Sequence, residues 1–154
     1  MLPLDYPAQN CSIARALEIL GDRWTMLVLR NALVGQSRFD DFLRLGVARN
    51  VLANRLARLT DEGLVERRPY QQHPLRHEYL ITDKGRAVWP VLTALVEWGD
   101  RYYAPDGAPR LLIHRDCGGQ IRQHLSCTAC EAMVGGTDIV TEPGPGVRRG
   151  AHVA

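Results

Sequence analysis

The sequence has little of what marks a membrane protein, a secreted protein or a large enzyme. Its longest strongly apolar run is Met26 to Leu29, far below the roughly 20 residues that a membrane-spanning helix needs. No apolar signal segment precedes the first helical pattern, and 154 residues provide one ordinary domain, or a small domain with an appendage. These absences predict a cytoplasmic protein with reduced thiols and no membrane segment.

The sequence also lacks the motifs of the common enzyme classes. It has no glycine-rich phosphate loop, no nucleophile elbow and no evident pair of catalytic carboxylates. It shows neither an internal repeat nor heptads long enough for a coiled coil. We therefore expect a protein that is not an enzyme, and an enzyme that uses its thiols is the weakest of the functional hypotheses.

The chain as a whole carries little net charge. The net charge is +2, which is too small to indicate nucleic acid as a partner. Glycine and proline are unevenly distributed, with 11 in residues 1–103 and 12 in the last 51. This distribution predicts an ordered body over residues 1–103, a loop-rich appendage over 104–140 and a flexible tail over 141–154.

The body is predicted to be mainly α-helical with one small β-hairpin. Two extended runs, Leu64–Tyr70 and His77–Thr82, flank a polar loop that contains proline, which is the pattern of a hairpin. Pro69 suits an edge strand because it cannot donate to a ladder, and Pro90 is expected to bend the last helix. Helices are predicted to begin near Ser12, Trp24, Ser37 (in a capping-box pattern with Asp40), Ala48 and Thr82.

The fourth helix has an unusual polar face. Leu52, Leu56 and Leu59 share one side of the helix, whereas Asn50 and Asn54 lie opposite. Between Ala48 and Thr60 there are three arginines and no acid. Asparagine forms a bidentate pair with adenine, and arginine binds guanine or phosphate. Together with the preceding short helix and the following hairpin, this face predicts a winged helix-turn-helix that binds DNA.

The charge near this helix supports the same interpretation. Residues 44–76 contain seven basic and three acidic side chains, a local charge of +4. The alternative is a solvated face whose long arginine stems cover the core. Seven basic groups on one surface favour nucleic-acid binding. Tyr70 and Arg76 flank the hairpin tip, so the wing is expected to touch the backbone or the minor groove.

Three stretches together resemble the HxlR-type regulators, a branch of winged-helix transcription factors related to the MarR type. They are the run from Cys11 through Gly-Asp-Arg-Trp to Arg-Phe-Asp-Asp-Phe, the leucine helix that ends in Glu-Gly-Leu-Val-Glu-Arg, and the Tyr-x-Ile-Thr-x-x-Gly entry to the last helix. They lie within residues 11–99. The resemblance implies a homodimer that places two recognition helices in successive major grooves of a pseudo-palindromic operator in double-stranded DNA.

The resemblance also implies which residues meet DNA and which form the dimer. The first and last helices would supply most of the interface; the alternative is that the apolar stripe of the last helix only covers its own core. The family often has serine where this chain has Ala48, which implies a less firmly capped recognition helix. By position, the implied DNA-binding residues are Arg49, Asn50, Asn54, Arg55 and Arg58 of the helix, and Arg67, Arg68 and Arg76 of the wing.

Cys11 precedes the first helix and is predicted to be a redox-sensing residue. Helix amides and Arg15, one turn on, would lower the pKa of the thiol and increase its reactivity. Regulators that resemble this chain often have cysteine here, and some respond to oxidants or quinones. The alternative is a small buried hydrophobe at the dimer interface.

The appendage contains a possible zinc site in a short β-rich, zinc-ribbon-like fold. His114, Cys117, Cys127 and Cys130 follow the spacing of two knuckles, and four such ligands would bind Zn²⁺ tetrahedrally. A module this small needs a metal or a docking surface to fix it. Other options are Asp116 or His124 as the fourth ligand, or a redox pair of Cys127 and Cys130.

The sequence thus predicts a dimeric, sequence-specific regulator of the HxlR type that responds to oxidants, quinones or another small molecule. The alternative is an adaptor whose cysteine-rich tail binds a protein partner while the winged helix does not read DNA. Salt dependence separates the two, because phosphate contacts make affinity fall steeply with ionic strength.

Overall fold

The structure is a computed structural model that describes residues 6, 7 and 9–146. The predicted flexible tail is therefore described only as far as residue 146, and residues 147–154 lie outside the described residues. The described residues form two compact units, one ending at Val88 and joined by 143–146, the other spanning Trp89–Glu142. This division groups the last helix with the appendage, whereas the sequence predicted a boundary after residue 103.

The first unit has the predicted order of elements. A two-stranded antiparallel sheet, β1 and β2, follows four helices and precedes one helical turn, α5. A mainly helical fold with one hairpin is thereby confirmed. The elements are α1 (Ser12–Leu20), α2 (Thr25–Leu33), α3 (Phe39–Leu43), α4 (Arg49–Asp61), β1 (Val65–Gln72), β2 (Leu75–Ile81) and α5 (Asp83–Arg86).

The core of this unit collects the apolar faces of the helices and the start of β1. The three leucines of α4 are buried on one side of that helix, as their spacing predicted. Their burial fixes which face of α4 remains open to solvent. The largest fully buried side chains are Phe42, Leu29, Leu52, Leu56, Leu59, Val28, Val65 and Thr25.

The hairpin is longer and its connection shorter than predicted. β1 and β2 pair up to Gln72 and Leu75, with an irregularity between Pro69 and Gln71. On the other side of β2, Arg38 forms an isolated bridge with Glu78. The segment before α3 therefore meets β2 through a single bridge, and β1, with its proline, is an edge strand as expected.

Of two predicted helix caps, one is confirmed and the other is wrong. Thr82 caps α5 as predicted, because its hydroxyl accepts a hydrogen bond from the amide of Gly85 at 3.1 Å. Ser37 does not cap α3. The N-cap is Arg38, without a side-chain cap, and the Ser37 hydroxyl donates to Glu78 at 3.5 Å. The hydroxyl is used across the sheet and not at the helix end, so the predicted capping box was wrong.

The second unit begins with α6, Trp89–Tyr103. The predicted single bent helix is instead two helices, since α5 ends at Arg86 and α6 begins just before Pro90; proline fits the first turn of a helix, where its missing amide hydrogen is not needed. Among the described residues, no helix of the chain is long and apolar enough to cross a membrane.

The appendage after α6 is less regular than predicted. Its β structure consists of two isolated bridges, Ile113 with Gln120 and Ser126 with Met133, followed by a single 3₁₀ turn, Gly136–Asp138. Between residues 104 and 142 no side chain is buried. The expectation of a β-rich fold is therefore not confirmed, since the β structure of the appendage is limited to these two bridges.

Candidate nucleic-acid interface

The N-terminal half of α4 presents an open polar face. Its N-cap, Ala48, has extended backbone and no side-chain cap, as expected for alanine at this position. Asn50 and Asn54 are exposed, and neither amide has a partner among the described residues. The Arg49 side chain is 71% exposed. The structure therefore places Asn50 and Asn54 on the side of α4 opposite the buried leucines, with Arg49 exposed at the start of the helix.

The two arginines in the C-terminal half of α4 point to a different partner. Arg55 Nη1 lies 2.8 Å from Asp22 Oδ2, and its Nε donates to the carbonyl of Arg23 at 3.2 Å. Arg58 Nη1 lies 3.5 Å from the same carboxylate oxygen, and its Nη2 donates to the carbonyl of Glu18. All three charged side chains are at most 27% exposed.

These contacts attach α4 to the turn between α1 and α2. The guanidinium groups of Arg55 and Arg58 neutralise one carboxylate and satisfy the carbonyls of Glu18 and Arg23. A charge held this way must lose partners before it can bind phosphate. Their role as DNA ligands stays a prediction that this geometry does not support.

The wing arginines differ from one another in availability. Arg68 donates from Nε and Nη2 to the two carboxylate oxygens of Glu66, each at 2.7 Å. This hydrogen bonding raises the pKa of Arg68 and holds the pKa of Glu66 below its usual range. Arg67 Nη2 lies 3.1 Å from Nδ1 of His77. The Arg76 side chain is exposed and has no partner among the described residues, so it is the most available cation of the wing.

A polar cleft of about 430 Å³ lies where α3, α4 and the hairpin meet. It includes Arg38, which was not among the predicted DNA-binding residues because it precedes the basic segment 44–76. The Arg38 guanidinium lies over the Tyr70 ring, 4.8 Å from its centroid. The signals in the sequence that could have indicated this contact are an arginine at the start of α3 and a tyrosine in β1. The cleft is lined by Arg38, Phe39, Asp40, Arg49, Tyr70 and Arg76, with His77 and Tyr79 completing it.

Cys11 is the N-cap of α1 and is half-buried. Arg15, which was expected to activate it, donates to Glu18 Oε1 at 2.6 Å and to the carbonyls of Tyr6 and Gln9 at 2.8 and 2.9 Å. Glu18 also accepts from the amide of Tyr6, which with Arg15 holds its pKa below the usual range. The guanidinium of Arg15 is thus already occupied by a carboxylate and two carbonyls.

The predicted zinc ligands lie in two turns of the same backbone pattern. In the first turn the amide of Gly118 donates to the carbonyl of His114, and in the second the amide of Glu131 donates to that of Cys127, each at 2.9 Å. The residue after the second ligand is left-handed in both, with φ of 71° and 59°. Each turn is therefore a knuckle that presents two of the four side chains.

The two knuckles are not brought together. His114 Nδ1 lies 3.1 Å from Cys117 Sγ, and the amides of Cys130 and Ala129, followed by the Cys130 thiol, lower the pKa of Cys127. Among the described residues, no group of three or more His, Cys, Asp or Glu side chains is placed to hold a metal ion. This arrangement does not fit a four-ligand zinc site, and zinc stays a prediction for metal analysis to test.

Comparisons with known proteins agree with the helix-turn-helix geometry. The model of the HxlR-like helix-turn-helix family matches residues 19–107. The HTH-type transcriptional regulator Rv3095 of Mycobacterium tuberculosis is 42% identical over 147 residues, which is 94% of this chain and 93% of that protein.

Two solved structures are similar to this chain. The crystal structure of PA1607 matches with a TM-score of 0.78 and 36% identity, covering 88% of this chain and 96% of that one. The redox regulator HypR in its reduced form matches with a TM-score of 0.56 and 28% identity, covering 59% of this chain and 92% of that one. The chain therefore belongs to the HxlR-like helix-turn-helix family and is a transcriptional regulator of the HxlR type.

Proposed function

We propose that this protein is a homodimeric, sequence-specific regulator that acts in the cytoplasm by binding double-stranded DNA. The observation that carries the proposal is the exposed face of α4, where Asn50 and Asn54 stand without partners opposite three buried leucines. An unpaired amide on a rigid helix is suited to a bidentate pair with an adenine edge in the major groove. Solvated helices usually carry Glu and Lys on such a face, and this one carries neither before Asp61.

Exposed apolar side chains support the dimer. In α1, Ile13 and Leu17 are 70% and 46% exposed. In α6, Leu95, Trp98 and Tyr103 are 50%, 55% and 72% exposed. Such surface is costly in water and is typical of a subunit interface. Sedimentation of the purified protein is expected to give a dimer, and a monomer at micromolar concentration would contradict this part of the proposal.

The DNA-reading role is tested by Asn54→Ala, with Arg86→Gln, an exposed position outside α4, as the control. Duplexes selected by the purified protein from a random library supply the ligand. Asn54→Ala is expected to cost about 1–3 kcal/mol for the selected base and to relax the preference at that position. Arg86→Gln is expected to bind like the parent. Equal selectivity of Asn54→Ala and the parent would refute base reading by this residue.

We also propose that oxidation of Cys11 lowers DNA affinity by altering the dimer. Support comes from the likeness to the redox regulator HypR and from the half-buried thiol at the start of α1. Diamide is expected to release the parent from its selected duplex and to leave Cys11→Ser bound. Release of both proteins at the same diamide concentration would exclude Cys11 as the sensor.

An open cavity within the second unit is the place where a small-molecule effector would bind. It encloses about 720 Å³ and is lined by Trp98, Leu112, Ile121 and Leu125, with Glu97 and Gln123 among the polar groups. Half of the lining residues are apolar and half are polar or charged, and small-molecule sites combine apolar walls with polar groups that orient the ligand. Quinones, which combine a flat ring with carbonyl acceptors, are the effectors proposed for this cavity, and a shift in tryptophan fluorescence on titration would detect them.

A further inference from the structure

The cleft between the helix-turn-helix and the wing gathers three guanidinium groups from three different elements. Arg38 is the N-cap of α3, Arg49 is the first residue of α4, and Arg76 belongs to β2. Against them stands one carboxylate of the lining, Asp40. Cations of separate elements repel one another, so an arrangement that collects them is favourable when an anion occupies the space between them.

Two of these arginines are held in place by aromatic rings. The Arg38 guanidinium lies 4.8 Å from the centroid of Tyr70, and that of Arg49 lies 5.3 Å from the centroid of Phe39. Stacking fixes the plane of a guanidinium while its N–H groups remain free to donate at the edge. Both arginines are therefore oriented before a ligand arrives, which reduces the entropy lost on binding.

The backbone around the cleft is also fixed. The amide of Tyr79 donates to the carbonyl of Ser37 at 2.7 Å. The backbones of Arg38 and Glu78 form an isolated antiparallel β-bridge. These bonds attach the start of α3 to β2. The segment that carries Arg38 in the helix-turn-helix is thus joined by backbone contacts to the strand of the wing that carries Arg76.

Asp40 does not neutralise the cleft. Its Oδ1 lies 3.8 Å from Arg49 Nη2, and the two side chains are 75% and 71% exposed. An exposed ion pair at this separation contributes little and is easily displaced. An entering anion can therefore replace Asp40 at Arg49 while it recruits Arg38 and Arg76, neither of which has a carboxylate partner among the described residues.

We propose that this cleft is a seat for one phosphate group, held jointly by Arg38, Arg49 and Arg76. Arginine donates in a planar fork that matches phosphate oxygens, and the open cleft admits a phosphate that is part of a larger molecule. The phosphate has two possible sources: a phosphodiester of the DNA backbone, in which case the inference rests on the proposed function, or a free phosphate ion.

The DNA source is tested by salt dependence on a duplex of arbitrary sequence, since phosphate contacts do not require an operator. Arg38→Gln and Arg76→Gln are each expected to lower the slope of log K against log salt by about 0.9 and to reduce affinity about eightfold at 0.1 M salt. The double variant is expected to lose the same single increment, because both side chains hold one phosphate. Arg86→Gln removes an exposed arginine outside the cleft and is expected to match the parent.

Circular dichroism and thermal melting are expected to be unchanged in all of these variants, so a loss of binding is separated from a loss of folding. If the two single losses add in the double variant, each arginine meets its own phosphate and the shared seat is refuted. Arg38→Lys keeps the charge but not the planar fork, and it is expected to bind more weakly than the parent.

The second source is tested by calorimetric titration with inorganic phosphate in the absence of DNA. Binding that disappears in Arg38→Gln and in Arg76→Gln, with DNA affinity unchanged, supports the seat and assigns it to free phosphate. If the variants match the parent in both titrations, the seat is refuted. A parent protein that binds no duplex refutes the proposed function, and the phosphate titration then decides the seat alone.

Discussion

The two halves of α4 differ in what their polar side chains contact. In the first half, Asn50 and Asn54 have no partner among the described residues and Arg49 is mostly exposed. In the second half, Arg55 and Arg58 reach back to Asp22 in the turn between α1 and α2. The same helix thus presents two unpartnered amides and a weakly paired arginine at one end and two firmly bound arginines at the other.

This difference separates two uses of arginine that look alike in sequence. An arginine whose N–H groups are satisfied by carboxylate and carbonyl oxygens holds two segments together, and it binds a ligand only at the expense of those bonds. An arginine that is free or merely stacked is available to phosphate. We expect the second half of α4 to act through stability and the first half to act through DNA affinity.

The largest effect is expected on stability, for a buried leucine of α4, because both halves of this helix pack against the core. Leu56→Ala removes a side chain with no exposed area, and truncations of this kind cost about 2–5 kcal/mol of unfolding free energy. Urea denaturation measures the loss. Ala57→Ser, one residue further on the exposed face, is the control. Similar midpoints for the two variants would show that α4 is not packed as described.

The next effect concerns the turn that the second half contacts. Asp22→Ala leaves Arg55 and Arg58 without their shared carboxylate, which is expected to cost about 1–2 kcal/mol because the groups are partly exposed. Asp83→Ala breaks an ion pair with Arg86 in which the carboxylate is 99% exposed, and it serves as the control. Thermal melting compares them. Equal melting temperatures would mean that the Asp22 contacts do not anchor α4.

A smaller effect is expected in the wing. Arg68, like Arg55 and Arg58, is bound to a carboxylate of the same chain. Glu66→Gln removes the carboxylate that binds Arg68 through two hydrogen bonds, so the guanidinium becomes available to phosphate. Affinity for a duplex of arbitrary sequence is expected to rise, with a slope against log salt steeper by about 0.9. Arg68→Ala by itself is expected to change the slope little. If the salt slope of Arg68→Ala were one unit lower than that of the parent, Glu66 would not be preventing Arg68 from binding phosphate.

The smallest effect is a dependence of stability on acid pH. The pKa of Glu66 is held low by its hydrogen bonds with Arg68, so the folded state favours the ionised carboxylate. The stability that the pair contributes is complete above the ordinary glutamate pKa of 4.5 and is lost as pH falls through the lowered pKa. Melting curves of Glu66→Gln and the parent are expected to converge below pH 4.5. A constant difference at all pH values would contradict the shift.

Much of the fold follows from local patterns in the sequence. The leucine spacing of α4, the cap at Thr82 and the edge position of Pro69 are set by neighbours within a few residues, and all three were predicted. The exposed positions of Asn50 and Asn54 follow from the same spacing, because a helix with one buried face has only one other face to present.

The remaining features depend on partners far apart in the sequence. Arg55 meets Asp22 across more than thirty residues and Arg38 stacks on Tyr70 across a similar distance, and no local pattern reports such pairs. Ser37 bonds across the sheet to Glu78 and not along its own helix. The two knuckles of the appendage have the predicted backbone turn, but their spacing in the chain did not determine whether they meet.

The most direct test of the division within α4 applies one substitution at both ends, Arg49→Gln and Arg58→Gln, and measures melting temperature and salt slope for each. Arg49→Gln is expected to leave the melting temperature unchanged and to lower the slope by about 0.9. Arg58→Gln is expected to lower the melting temperature, since it breaks bonds to Asp22 and to the Glu18 carbonyl, and to leave the slope of the folded protein unchanged. The opposite pattern, with Arg58→Gln losing slope without stability, would contradict the account.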